Sequence, residues 1–254
     1  MIKIDLNCDM GELPEAVEGG IQEALMASIM SANIACGGHA GDAYTMETTI
    51  RQAARHGLTV GAHPGYPDRE NFGRRELDLP VADIAEFVFQ QVSEFGRIAD
   101  RCGVTVAHVK PHGALYNQAV HSAPIAEAIA NGVARWNRHV VLVGLAGSPM
   151  LDVFRAAGFP VAAEAYADRR YEPGGTLRSR KFADALIQDP EMAAEQALGI
   201  VTRRSVVASN GTIVPVDAQT ICVHGDTPGA ERIAAAVVAK LRGAGVQLRG
   251  LTAG

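Results

Sequence analysis

The side chains of this sequence that could do chemistry gather in five short stretches. The first is Asp5-Leu6-Asn7-Cys8-Asp9-Met10-Gly11-Glu12. Side chains alternate along a strand, so Asp5, Asn7 and Asp9 share one face while Ile4, Leu6 and Cys8 share the other. A buried carboxylate is costly unless it is paired, hydrogen-bonded or metal-bound. Two acids and an amide on one face suit a general base or a metal site; the plainer alternative is a hydrogen-bond network at a sheet end. The second stretch is Asn33-Ile34-Ala35-Cys36-Gly37-Gly38-His39-Ala40-Gly41-Asp42, whose glycines let backbone approach closely beside His39. Its spacing is neither a Walker loop nor GxGxxG, so it does not read as a standard phosphate cradle. Asp42 is placed to cap the next helix.

The third stretch, Gly61-Ala62-His63-Pro64-Gly65-Tyr66-Pro67-Asp68, sets His63 at a strand end, held by a stiff turn. It reads as a ligand or base, or as a histidine packed under the loop. Asn71-Phe72-Gly73-Arg74-Arg75 follows, offering cations for an anionic substrate or plain surface charge. The fourth is Val106-Ala107-His108-Val109-Lys110-Pro111-His112-Gly113-Ala114-Leu115-Tyr116-Asn117. If its strand continues through Pro111, then His108, Lys110 and His112 share a face. An inward lysine suits a developing oxyanion or phosphate, or a structural pair with an aspartate. The last, Cys222-Val223-His224-Gly225-Asp226-Thr227-Pro228, ends a strand with His224 and Asp226 two apart.

Positioning these residues takes a regular alternation of strands and helices. Short runs rich in Val, Ile, Leu or Ala predict strands near 2–8, 29–35, 58–63, 104–110, 139–145, 160–166 and 219–224. Three-and-four spacing predicts a helix from about Val81 to Cys102, and another from Asp42 to Gly57. Ser148-Pro149, Asp189-Pro190 and Thr227-Pro228 each place a capping side chain before a proline. The alternation implies a mostly parallel sheet in one α/β domain over residues 1–254. Polar residues follow nearly every strand, including Glu164/Asp168, which favours a barrel with its site at the C-terminal strand ends over an open sheet. His39, His63, His112 and His224 fall at those ends, whereas His56, His121 and His139 read as structural. That concentration favours an enzyme over a binding module. No HExxH and no nucleophile elbow is present. Residues 166–182 form a long basic stretch that reads as a substrate loop or as a solvated excursion.

Composition narrows the classes. Lys+Arg is 23 and Asp+Glu is 28, a formal charge of −5, which argues against a nucleic-acid partner and gives no support for an anionic membrane surface. Charged residues at 20% and hydrophobic residues at 48% exclude disorder. Cys8, Cys36, Cys102 and Cys222 form no CxxC pair, which suits a reducing compartment. No apolar run approaches a membrane span and no signal core opens the chain, so the expectation is a cytoplasmic protein.

Taken in order from residue 2 to about 250, the five stretches resemble the LamB/YcsF family, the A subunits of bacterial ATP-dependent 5-oxoprolinase. Ala167-Asp168-Arg169 and the Arg-rich run after it resemble that family's loop. The resemblance implies a distorted seven-stranded βα-barrel of the glycoside hydrolase/deacetylase type. It implies cleavage of the lactam of 5-oxo-L-proline to L-glutamate, with ATP hydrolysed to ADP and phosphate, alongside subunits B and C. That chemistry needs cations or a metal for phosphate, a base for water and an acid for the ring nitrogen. The expected catalytic set is Asp5, Asn7, Asp9, Lys110 and His112. Glu12, Asn33, His39, His63, Asp168, Arg169, His224 and Asp226 are expected to bind substrate. A divalent ion such as magnesium is expected on Asp9, His39 and His63. No recognisable nucleotide loop is present, which leaves ATP to bind through unfamiliar geometry or on a partner. A stand-alone metal-dependent hydrolase, such as a deacetylase, and a non-catalytic scaffolding subunit stay open as alternatives.

Overall fold

Seven parallel strands close on themselves in the computed structural model, which describes residues 2–227 and 229–252. In chain order the elements are β1 (Lys3–Met10), α1 (Pro14–Glu18), α2 (Ile21–Met26), β2 (Ser31–Ala35), α3 (Ala43–Arg55) and β3 (Thr59–His63). Next come α4 (Val81–Arg101), β4 (Val106–Val109), α5 (Gly113–Ala119), α6 (Ala123–Trp136), β5 (Val141–Leu145), α7 (Pro149–Ala156) and β6 (Val161–Tyr166). The chain finishes with α8 (Pro190–Arg203), β7 (Ser205–Val207), β8 (Ile213–Pro215), β9 (Thr220–Cys222), α9 (Ala230–Gly243) and β10 (Gln247–Leu248). The barrel order is β1-β2-β3-β4-β5-β6-β9, and β9 pairs back to β1. The antiparallel β7–β8 hairpin and β10, which pairs with the start of β1, lie outside the closed ring. No helix of the described residues is long and apolar enough to cross a membrane.

Each strand sends one face outward to the helices and one into the barrel. Ile4, Leu6, Cys8 and Met10 of β1 are buried in the apolar layer, where α4 contributes Ile84, Val88, Val92, Phe95 and Ile98 as a continuous stripe. Helix α3 starts as expected: the Asp42 carboxylate accepts from the Thr45 N–H, and the Thr45 hydroxyl returns to the Asp42 N–H. Asp189 caps α8 by accepting from the Met192 N–H. Ser148 stands at the start of α7, but its hydroxyl donates to the Leu145 carbonyl rather than capping. Helix α9 starts after Gly229; Pro228, expected to open that helix, lies outside the described residues.

The barrel interior is graded along its axis. At one end Val141, Val143, Ala162 and Leu251 form a small apolar plug. Above it the interior is polar. The Asn33 side-chain amide donates to Asn7 and Asp9, and its oxygen lies 2.7 Å from His108 Nε2. The His108 ring fills the space where a Cβ on Gly61 would stand, so β3 must have glycine there, beside the register shift between Val60 and Gly61. Asp5 accepts from the Ser31 and Thr220 hydroxyls and is 2% exposed.

Burial raises the Asp5 carboxyl from 3.8 to about 7, against the Thr220 and Ser31 hydrogen bonds that favour its charge. The folded chain therefore holds a proton that the unfolded chain has released. Stability from this group is full below its unfolded value and is lost as the pH rises to about 7. Asp5→Asn cannot titrate, so its unfolding free energy should fall less than that of the unsubstituted chain between pH 5 and pH 8. The expected difference in urea unfolding is on the order of 2 kcal/mol; equal falls would show that Asp5 is ionised in the fold.

Candidate active site

A cavity of about 820 Å³ opens at the C-terminal strand ends, where βα loops meet. Asp9, Glu12, His63, Lys110 and His112 lie at its floor, Tyr166, Arg169 and His224 along one wall, and Arg74, Arg180 and Asp226 at the rim. The Asp226 carboxylate takes both Arg74 and Arg180, the latter at 3.2 Å, and so ties the loop after β3 to the loop after β6.

Lys110 is held deep in the floor. Parallel pairing continues past β4 through Lys110 N–H to Ala62 O and His112 N–H to Pro64 O, so Pro111 does not break the line that aims both residues inward. The ammonium lies 3.0 Å from Asp9 Oδ1, 2.9 Å from Glu164 Oε1 and 3.3 Å from Asn7 Oδ1. The ammonium donates to Asp9, to Asn7 and to Cys222 Sγ at 3.2 Å, so its three N–H donors are taken up within the floor, with Glu164 as a second close counter-charge. Burial works against its charge, but Asp9 and Glu164 together hold it well above the usual lysine range. Burial likewise opposes the Asp9 carboxylate, and His63 and Lys110 hold it well below the usual range. Lys110 is thus placed to fix Asp9 and has no spare donor for a substrate oxyanion.

Two histidines face one another beside this network. His63 Nδ1 lies 2.7 Å from Lys110 O, and His112 Nε2 lies 2.9 Å from Phe72 O. A carbonyl only accepts, so those two ring nitrogens carry hydrogen and donate. Their other nitrogens, His63 Nε2 and His112 Nδ1, stand 3.0 Å apart. Asp9 Oδ2 is 3.3 Å from the first and Glu12 Oε1 is 3.2 Å from the second. Two imidazole lone pairs and two carboxylates therefore converge on one point, which a shared proton or a cation must neutralise. His39 stacks on His112 with ring centroids 3.6 Å apart and places Nε2 3.0 Å from Glu12 Oε1. Burial lowers its pKa to about 3, so it is the neutral ring that donates to Glu12.

The structure brings Asp9, Glu12, His63, Lys110 and His112 together at the floor. Arg169, His224 and Asp226 line the same cavity. Asp5, Asn7 and Asn33 lie beneath the floor in the hydrogen-bonded interior and do not line it. His39 lies behind Glu12 and His112, and Asp168 behind His224, whose Nδ1 and backbone N–H it accepts. The cluster that could hold a metal differs from the expected triad of Asp9, His39 and His63. The ligand atoms within 4.8 Å of one another belong to Glu12, His39, His63 and His112, while Asp9 commits Oδ1 to Lys110 and Asn33 and reaches only His63 with Oδ2. The left-handed turn at Gly11, φ +70°, carries Glu12 beyond the end of β1 and against His39 and His112. Three imidazoles and a carboxylate suit a borderline ion such as zinc rather than the magnesium expected, which prefers oxygen ligands. Several cavity or floor residues escaped the sequence-based site list, among them Arg74, Tyr166, Arg180, Glu164 and His121. Glu164 sits in Val-Ala-Ala-Glu-Ala-Tyr, where a lone acid on a buried strand was the available signal; His121, expected to be structural, lines the cavity.

Lys110→Met would strand Asp9 and Glu164 as buried unpaired charges. It should lower the unfolding free energy by about 3–5 kcal/mol. Adding Glu164→Gln removes one stranded charge, so the double variant should be more stable than Lys110→Met alone in urea unfolding. A single variant that melts like the unsubstituted chain would show that the charges are already neutralised by protonation.

Comparison with known proteins agrees with this architecture. The LamB/YcsF family profile matches residues 4–254. The chain is 49% identical to the 5-oxoprolinase A subunit of Chloroflexus aggregans, over 98% of this chain and 99% of that one. It is 44% identical to the 5-oxoprolinase A subunit of Methylococcus capsulatus, over 98% and 95%. The crystal structure of the lactam utilization protein from Thermus thermophilus superposes with a TM-score of 0.91 at 39% identity, covering 98% of this chain and 99% of that one. With its full barrel and all five polar stretches inside these matches, the chain belongs to the LamB/YcsF family.

Proposed function

We propose that this chain is the lactam-opening subunit of an ATP-dependent 5-oxoprolinase. It would convert 5-oxo-L-proline to L-glutamate while ATP goes to ADP and phosphate, working with subunits B and C. The relatives' names supply the reaction class. The observation that carries the reading is the convergence of His63 Nε2 and His112 Nδ1 with the Asp9 and Glu12 carboxylates at a cavity floor.

A lactam is a poor electrophile because its nitrogen donates into the carbonyl, and its leaving group is an amine. Transfer of the γ-phosphoryl group of ATP to the lactam oxygen gives a phosphorylated imidate and ADP. Water then adds to the ring carbon and gives a proton to the His63–His112 pair, with Asp9 and Glu12 stabilising the charge formed. The same pair returns a proton to the ring nitrogen as the C–N bond breaks, leaving γ-glutamyl phosphate. A second water releases phosphate and L-glutamate. One ATP and two waters are consumed for each ring opened. A divalent ion, when bound by Glu12, His39, His63 and His112, would add Lewis-acid polarisation and a more acidic water. The chain has no GxxxxGK[ST] loop, so we place ATP across the face shared with a partner subunit.

Purified chain should release little glutamate alone, and should release glutamate and ADP in equal amounts when mixed with both partners. His63→Ala should lower that rate about 10²–10⁴-fold with an unchanged melting temperature. Turnover by the chain alone without ATP would favour a metal-dependent hydrolase. Near-normal complex activity in His63→Ala would favour a scaffolding role.

Zinc offers a separate check on the histidine cluster. Equilibrium dialysis should load one ion per chain, and His112→Ala should weaken binding by at least about tenfold. Equal loading of both proteins would place the ion elsewhere and leave the two lone pairs to share a proton.

A further inference from the structure

We propose that Arg169 is the oxyanion-binding residue of the cavity, taking a carboxylate or phosphoryl group of the bound substrate with Arg180 beside it. The choice of ligands below rests on the lactam reading; the subsite itself does not.

Two cavity cations are more than nine-tenths buried, Lys110 at 2% and Arg169 at 7% exposure. Their surroundings differ. Lys110 has two carboxylates at hydrogen-bond distance. Arg169 makes no ion pair among the described residues; its Nη2 donates to Arg178 O at 2.7 Å, and its Nε has no partner. The acid next to it in sequence, Asp168, is committed to His224, taking the backbone N–H at 2.9 Å and Nδ1 at 2.9 Å. A buried charge without a counter-charge is strongly unfavourable, so the wall calls for an anion from outside.

Asp168 favours the charge of Arg169 from a distance, but Arg180 opposes it more strongly. Arg180 lies close enough that its charge, after burial, lowers the proton affinity of Arg169. Arg180 shares Asp226 with Arg74, so three guanidinium groups at this wall and rim are matched by one pairing carboxylate. The Arg169 backbone is pinned, its carbonyl accepting from Gln196 Nε2 at 2.8 Å, and the Nη2 bond to Arg178 O orients the guanidinium before any ligand arrives. A planar guanidinium matches a carboxylate or a phosphoryl group with two parallel N–H donors. The floor carries Asp9 and Glu12 and repels an anion. A ligand with an anionic end and a neutral carbonyl end would therefore enter with its anion on Arg169 and its carbonyl toward His63 and His112.

Calorimetric titration of the full chain with 5-oxoproline, its uncharged carboxamide and inorganic phosphate tests this. The unsubstituted chain should bind 5-oxoproline about 10–100-fold more tightly than the carboxamide, and Arg169→Met should erase that preference. If Arg169→Met keeps the preference but loses phosphate, the group bound is phosphoryl and the subsite stands. Phosphate binding that depends on Arg169, with no binding of 5-oxoproline, would keep the subsite and reject the lactam reading. Arg169→Lys keeps the charge and loses the fork, so it should lose about tenfold of the same binding even where Arg169→Met fails to fold. Unchanged binding in both variants, or no anion bound by the unsubstituted chain, would overturn the proposal.

Discussion

One buried ammonium organises this barrel. Lys110 stands where β1, β4 and β6 turn their polar faces inward, and it alone among the floor residues can neutralise both Asp9 and Glu164. Without it, Glu164 would be buried with no cation among the described residues, and Asp9 would keep only His63. Glu164 in turn accepts from Asn7 and from the Tyr166 hydroxyl, so one charge fixes residues from three strands or strand ends. The result is a floor whose side chains are already oriented before substrate arrives, which is the condition for electrostatic catalysis without reorganisation.

Backbone does the equivalent work for the histidines. The Lys110 and Phe72 carbonyls decide which nitrogen of His63 and of His112 carries hydrogen, and so aim the two lone pairs at each other. Phe72 is held at φ 55°, a left-handed conformation that costs a side-chain-bearing residue about 1–2 kcal/mol. Gly73 follows it, and a Cβ there would stand 2.6 Å from the His39 Cβ. Strain and close approach coincide where the carbonyl must reach His112, which is where such backbone is expected at a working site.

Much of this was legible in the sequence. Alternating polarity in Asp5-Leu6-Asn7-Cys8-Asp9 places its acids in the barrel, and every expected barrel strand overlaps an observed one. Asp42 is readable as a cap because helix starts are local. The set of clustered ligand atoms was not readable, since Asp9 and Glu12 are both acids near one strand end and both reach the histidines, and only the Gly11 turn brings Glu12 within reach of His39 and His112 as well as His63. The β7–β8 hairpin had a signal in Asn210-Gly211 between apolar pairs, and was missed because its strands are only three residues each. Whether a cation has a counter-charge is a tertiary fact: Asp168 precedes Arg169 directly, yet it turns to His224.

The separation of charge within the cavity follows from the same topology. Strand-borne acids sit on the axis because the barrel can bury them around Lys110. Loop-borne cations, Arg74 after β3 and Arg169 and Arg180 after β6, sit at the wall and rim, where Arg74 and Arg180 reach Asp226. A negative floor below a positive wall makes a field directed along the cavity. That field gives a polar substrate one favoured orientation, and lets loop substitutions change what is bound without disturbing the buried network that would act on it.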